Sequence, residues 1–150
     1  MQVVHIYAET GSIAPRNMRR KTGCVLEYVT PSGRTVTREF FKERDATYNA
    51  SVIQTITEAL DKLTKECEVH VHTQNQYVLR MIAEKLQGWS ETGFTGPNDL
   101  PIANQTDWRN LWEAGAPHEL HVEFGPHPYY EWLNDHMKKG GNMKKDREME

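Results

Sequence analysis

The sequence predicts an α/β fold, a mixed five-stranded sheet with helices on both faces. Three observations carry this prediction. Two strand-like segments, 23–29 and 35–41, flank Pro31-Ser32-Gly33, where Pro presets one backbone torsion and Gly permits the reversed one, so the chain turns back as an antiparallel hairpin. Val52, Ile53, Ile56, Leu60 and Leu63 recur at three- and four-residue spacing, the mark of an amphipathic helix. Finally, residues 69–73 alternate as a strand and run through a polar turn into a second helix, which adds a parallel region to the hairpin.

Taken in order, residues 3–8 read as a short buried strand, followed by a basic, Gly-flanked loop and then the hairpin. The helix 52–63 and the strand 69–73 come next. A helix over about 76–86 carries Tyr77, Val78, Met81, Ile82 and Leu86 on one side. A connection holding Gly93, Gly96, Pro97 and Pro101 leads to a helix that opens at Thr106-Asp107-Trp108 and stops near Gly115. Residues 118–124 alternate as the last strand, and 129–137 form the last helix, giving the order βββαβααβα. Residues 1–138 are expected to make one domain. Residues 139–150, rich in Lys, Glu and Gly, cannot bury a core and are expected to be a disordered tail.

Composition narrows the function. The 150 residues are 37% hydrophobic and 26% charged, enough for a single core. No apolar run approaches the roughly 20 residues of a membrane span, and the N-terminus lacks the layout of a signal peptide. Two cysteines, Cys24 and Cys67, make no disulfide framework, so a reducing cytoplasm is expected. A net charge of −3 argues against indiscriminate affinity for nucleic acid, which rests on neutralising phosphates. Locally, however, Arg16-Asn17-Met18-Arg19-Arg20-Lys21 packs four cations into six residues.

Several motifs fall into one register. Thr47-Tyr48-Asn49 is similar to a T-N-N turn before a first helix, and Thr73-Gln74-Asn75-Gln76-Tyr77-Val78 to a T-D-S-x-Y-V strand end. Trp89, Gly93-Phe94, Pro101, Asn104 and Trp108 follow without a gap, and Gly125-Pro126-His127-Pro128 resembles a shortened loop bearing a mobile His. In this register the chain resembles the type 1 ribonucleases H over about residues 2–138. The resemblance implies a ribonuclease-H-like sheet and a family whose enzymes cut the RNA strand of an RNA/DNA hybrid. In such enzymes four carboxylates hold two divalent ions.

Position by position, the first acid falls on Glu9 when Tyr7 is the anchor, or on Thr10 when Gly11-Ser12 is. The second falls on Val52, the third on Gln74, and the fourth on Asn134, with Asp135 adjacent. The resemblance thus leaves Glu9 and Asp135 as candidate catalytic residues. Hard ions need anionic oxygens, so no resident cofactor is expected, and Mg²⁺ or Mn²⁺ only if the chain cuts. The substrate-facing set is better kept. Thr47, Asn49, Gln76 and Asn104 match positions that contact the hybrid, Trp89 matches the family's DNA-gripping protrusion, and Arg16 and Asn17 stand in the altered first loop. The expectation is a protein that binds RNA/DNA hybrid or RNA with weak or no cleavage. The alternatives are an active endoribonuclease using Glu9 and Asp135 with one ion, and a non-enzymatic protein-interaction scaffold.

Seven histidines offer a rival site. His70 and His72 share a strand face with Gln74, His5 shares one with Tyr7 and Glu9, and His121 lies on the neighbouring strand. Imidazole suits transition metals better than Mg²⁺. His5, His70 and His72 are therefore metal candidates, with ordinary strand histidines as the default.

Overall fold

The computed structural model describes residues 1–139 of the chain. Three strands, β1 (Gln2–Thr10), β2 (Met18–Val29) and β3 (Thr35–Ala46), form an antiparallel meander. β4 (Cys67–His72) then lies parallel to β1, and β5 (Glu119–Glu123) parallel to β4, giving the sheet order β3-β2-β1-β4-β5. Five α-helices accompany them: α1 (Tyr48–Asp61), α2 (Gln76–Glu84), α3 (Leu86–Glu91), α4 (Gln105–Gly115) and α5 (Tyr130–Lys138). Side-chain alternation divides the strand residues between two layers. Val4, Ile6, Ala8, Val69 and Val71 meet Ile53, Ile56, Leu60, Leu79, Trp108 and Leu111 in the main core. Tyr7 and Val25 meet Leu133 and Met137 of α5 in a smaller core on the other face. Helices cover both faces, as the sequence predicts.

The hairpin is longer than the residue pattern suggests, because the basic run is not all loop. Arg19, Arg20 and Lys21 extend β2 and pair with Asp45, Arg44 and Glu43 of β3. The reason is Arg20, a buried guanidinium that donates to the carbonyls of Ala46 (3.1 Å), Ser12 (2.8 Å) and Arg16 (2.6 Å). Arg19 instead lies exposed against Glu43 and Asp45. Only Arg16 and Asn17 remain in the exposed loop before β2.

Two helix starts are written in the sequence. The Thr47 hydroxyl accepts from the Ala50 N–H to begin α1, and the Asn75 side chain accepts from the Val78 N–H to begin α2. The single helix expected over 76–86 breaks at Lys85 (φ −120°, ψ −30°) and restarts as α3. That break turns Trp89 inward, where its ring packs against Trp108 at 5.4 Å between centroids. One close approach fixes how α5 sits: a Cβ at Gly23 would lie 2.7 Å from the Phe41 ring and 3.2 Å from Leu133. Residues 140–150, expected to be a tail, lie outside the described residues. Among those described, no helix is long and apolar enough to cross a membrane.

Candidate functional site

Parallel β1 and β4 end side by side, and the first turns of α1 and α2 rise at the same end of the sheet. Such strand ends are where open α/β sheets gather polar groups. Glu9, next to the last residue of β1, is almost completely buried there, at 1% exposure. Its Oε2 accepts the backbone N–H of Gln74 at 2.9 Å and the Nε2 of His127 at 2.7 Å. His127 Nδ1 in turn accepts the Tyr129 N–H at 3.2 Å. With Nδ1 an acceptor, the imidazole proton belongs on Nε2, which donates to Glu9. The result is a closed clasp between the end of β1 and the loop before α5.

Aromatic rings surround this clasp. Tyr7 stacks on His72 at 4.4 Å and tilts against His127 at 5.1 Å and Tyr129 at 4.8 Å. Glu27 accepts the Tyr129 hydroxyl at 2.6 Å and, more loosely, that of Tyr7. The hydrogen bond to Glu27, with burial second, raises the Tyr129 hydroxyl to a pKa of about 12. Burial, and then the negative charge of Glu9, raises Tyr48 to about 12 as well. These phenols stay protonated at neutral pH.

The remaining acid positions hold no carboxylate aimed at Glu9. Val52 is 1% exposed and belongs to the main apolar core. Ser51 beside it turns its hydroxyl onto the Tyr48 carbonyl. Gln74 contributes its backbone N–H, and Thr10 donates its hydroxyl to the Ser12 carbonyl. Asn134 donates to the Tyr130 carbonyl within α5. Asp135 is exposed. Leu133 and Met137 hold α5 to the sheet, and a residue two steps from each points about 200° round the helix, away from it. Asp135, the alternative partner for Glu9 on one ion, thus stands on the outer side of α5. A pair of Mg²⁺ ions needs several anionic oxygens, and this site offers one carboxylate whose Oε2 already accepts two hydrogen bonds. The residues present do not fit the family's metal pair.

The expected contact residues divide. Asn49 accepts from the Asn75 side chain at 2.9 Å, which ties the starts of α1 and α2 together. Gln76 and Tyr77 stand exposed beside that tie. Asn104 begins α4 in the left-handed region (φ 59°), with no capping bond from its side chain. Arg16 and Asn17 are exposed, whereas Trp89 is half-buried and packs against the main core. The resemblance marks His127 as a loop histidine, but its bond to Glu9 and that of Asn75 to Asn49 are not readable from spacing.

The histidines do come together. His5, His70 and His121 align across β1, β4 and β5, with centroids 5.0 and 4.9 Å apart. His72 places Nε2 2.9 Å from His5 Nδ1. Burial, then the neighbouring His5 and His127, pushes His72 down to about 4. His70 moves upward: burial opposes this, but its hydrogen bonds to Glu68 and Glu123 prevail.

A family model described as RNase H matches residues 1–148. The chain belongs to the ribonuclease H family. Relatives named Ribonuclease H include one from Janthinobacterium, 34% identical over 71% of this chain and 69% of the relative. Another, from Cupriavidus necator, is 30% identical over 97% of this chain and 92% of its own length. Among solved structures, the fold matches LC9-RNase H1, a type 1 enzyme with the type 2 active-site motif, at TM-score 0.74, 19% identity and coverage of 95% and 74% of the two chains. It also matches a foamy viral protease-reverse transcriptase in complex with RNA/DNA hybrid, at TM-score 0.62 and 16% identity, over 91% of this chain and 19% of that one. The ribonuclease H family and fold thus stand as the sequence resemblance indicated.

Proposed function

We infer that this ribonuclease H family member binds nucleic acid, an RNA/DNA hybrid or RNA, at the end of the sheet where β1 and β4 finish, and cleaves it weakly or not at all. The observation that carries the reading is the state of Glu9. Glu9, on which the first acid falls when Tyr7 is the anchor, is buried and clasped by His127 and the Gln74 N–H. With Val52 in the core and Asp135 on the outer side of α5, water activation by two ions has no ligand set to rest on.

Binding needs less. Gln76 and Asn104 carry amides able to read 2′-hydroxyls and base edges without a metal, and Thr47 and Asn49 hold that surface in shape through their bonds to α1 and Asn75. Arg16 and Asn17 supply a phosphate contact from the loop before β2. One fold neighbour, a foamy viral protease-reverse transcriptase, is in complex with RNA/DNA hybrid, and the same ligand is read here. Residues 1–138 act as the binding domain, and two buried free thiols suit a cytoplasmic setting.

The test pairs a gel shift with hydrolysis. Hybrid, duplex DNA and duplex RNA are compared at low salt, and RNA-labelled hybrid is incubated with Mg²⁺ or Mn²⁺. The expected result is preferential retardation of the hybrid with the RNA strand intact. Equal retardation of all duplexes refutes the binding reading. Cleavage abolished by Glu9→Gln refutes the inactive one.

A further inference from the structure

The face of the sheet on which α5 rests against β1 and β2 carries a different population across β4 and β5. Glu68 and Glu119 are direct cross-strand neighbours there, and His70 and His121 are the next such pair. Like charges directly opposite each other destabilise a sheet. His70 offsets part of this. Its Nε2 lies 2.6 Å from Glu68 and its Nδ1 2.7 Å from Glu123, and because carboxylates only accept, His70 carries a proton on both nitrogens. His121 stacks on His70 with ring planes 17° apart and places Nε2 3.0 Å from Glu119. One oxygen of Glu68, one of Glu119 and one nitrogen of His121 all lie within 4.8 Å of one another.

We propose that Glu68, Glu119 and His121 form a site for a divalent transition metal, Zn²⁺ or its chemical neighbours Co²⁺ and Ni²⁺. It lies at the end of β4 away from Glu9 and is independent of nucleic-acid binding. Zn²⁺ bonds of about 2.0–2.2 Å need ligand atoms roughly 3–3.5 Å apart. Side-chain rotation of Glu119 and Glu68, which are 54% and 35% exposed, closes the set. The ion takes the place of the proton shared by His121 and Glu119, and water completes its coordination. Its two charges remove the repulsion between the carboxylates and fasten edge strand β5 to β4. His70 is a positioning residue that orients Glu68, as outer partners of metal-bound carboxylates do. One imidazole among the donors selects against Mg²⁺.

The full chain, free of any affinity tag, is titrated with ZnCl₂ by calorimetry, with CoCl₂ by visible absorption, and its melting temperature is followed with and without Zn²⁺. The expected result is one saturable equivalent, a higher melting temperature with Zn²⁺, and at least a tenfold loss of affinity in both Glu119→Gln and His121→Ala. His5→Ala leaves the affinity unchanged, and excess Mg²⁺ does not displace the ion. Far-UV dichroism establishes that the variants are folded. Absence of saturable binding overturns the proposal. So does binding that survives His121→Ala but is lost in the His5→Ala, His72→Ala double variant, or displacement by Mg²⁺.

Discussion

Glu9 accepts both of its hydrogen bonds on a single oxygen, which makes its substitutions unusually informative. A glutamine placed with its oxygen at that position keeps both bonds and loses only their charge assistance, a cost of about 1 kcal/mol. Glu9→Ala leaves two buried donors unpaired, at about 1–3 kcal/mol each. Denaturant unfolding is expected to rank the two variants in that order, and equal losses would contradict the tautomer assigned to His127. His72 gives a second residue-level expectation. The unfolded chain binds its proton near 6.5 and the folded one only near 4. Between those values the unfolded state holds more protons, so His72 lowers stability as pH falls through that window. The melting temperature of the wild type should drop more steeply from pH 6.5 to 4 than that of His72→Phe. At this scale the sequence is legible where identity decides, because Val52 and Gln74 carry no carboxylate. It could not show that Asp135 faces outward or that His127 reaches Glu9, since both depend on how α5 is seated.

At the scale of elements, α5 is held by few groups: Leu133 and Met137 above Tyr7 and Val25, with Gly23 leaving room beneath. Gly23→Ala drives a methyl into the Phe41 ring and Leu133, so a loss of about 1–3 kcal/mol is expected. Proteolysis or hydrogen exchange should place the added mobility in α5 rather than α1. Helix α1 and the alternation of β4 were legible because each obeys one period over its whole length. The start of β2 was not. Local composition makes Arg19-Arg20-Lys21 a loop, and only the carbonyls of Ala46, Ser12 and Arg16, brought around Arg20 by tertiary structure, make it a strand. The break at Lys85 escaped notice for a similar reason, since the pattern 76–86 is apolar enough for one helix, and Trp89 is turned by its packing on Trp108.

For the whole molecule, charge sets the manner of binding. With a net charge of −3, and with Arg19 and Arg44 held in ion pairs with carboxylates, the overall electrostatic attraction to phosphates is weak. Each phosphate neutralised on B-form DNA contributes about −0.9 to the slope of log K against log salt. A shallow slope, between about −1 and −3, is expected for hybrid binding, and Arg16→Ala should flatten it by about one phosphate. A slope near −6 would overturn this expectation.

The clasp also has a kinetic side. Glu9 and His127 are 118 residues apart, and closing a chain of that length costs about 4 kcal/mol of configurational entropy. The single hydrogen bond between them cannot offset this on its own, so the contact forms only after the sheet between them has brought the ends together. A bond made after the folding barrier acts as a latch on the way out. Glu9→Ala should therefore leave the folding rate nearly unchanged and speed unfolding about a hundredfold. A carboxylate at the end of β1 then sets how long the domain stays folded.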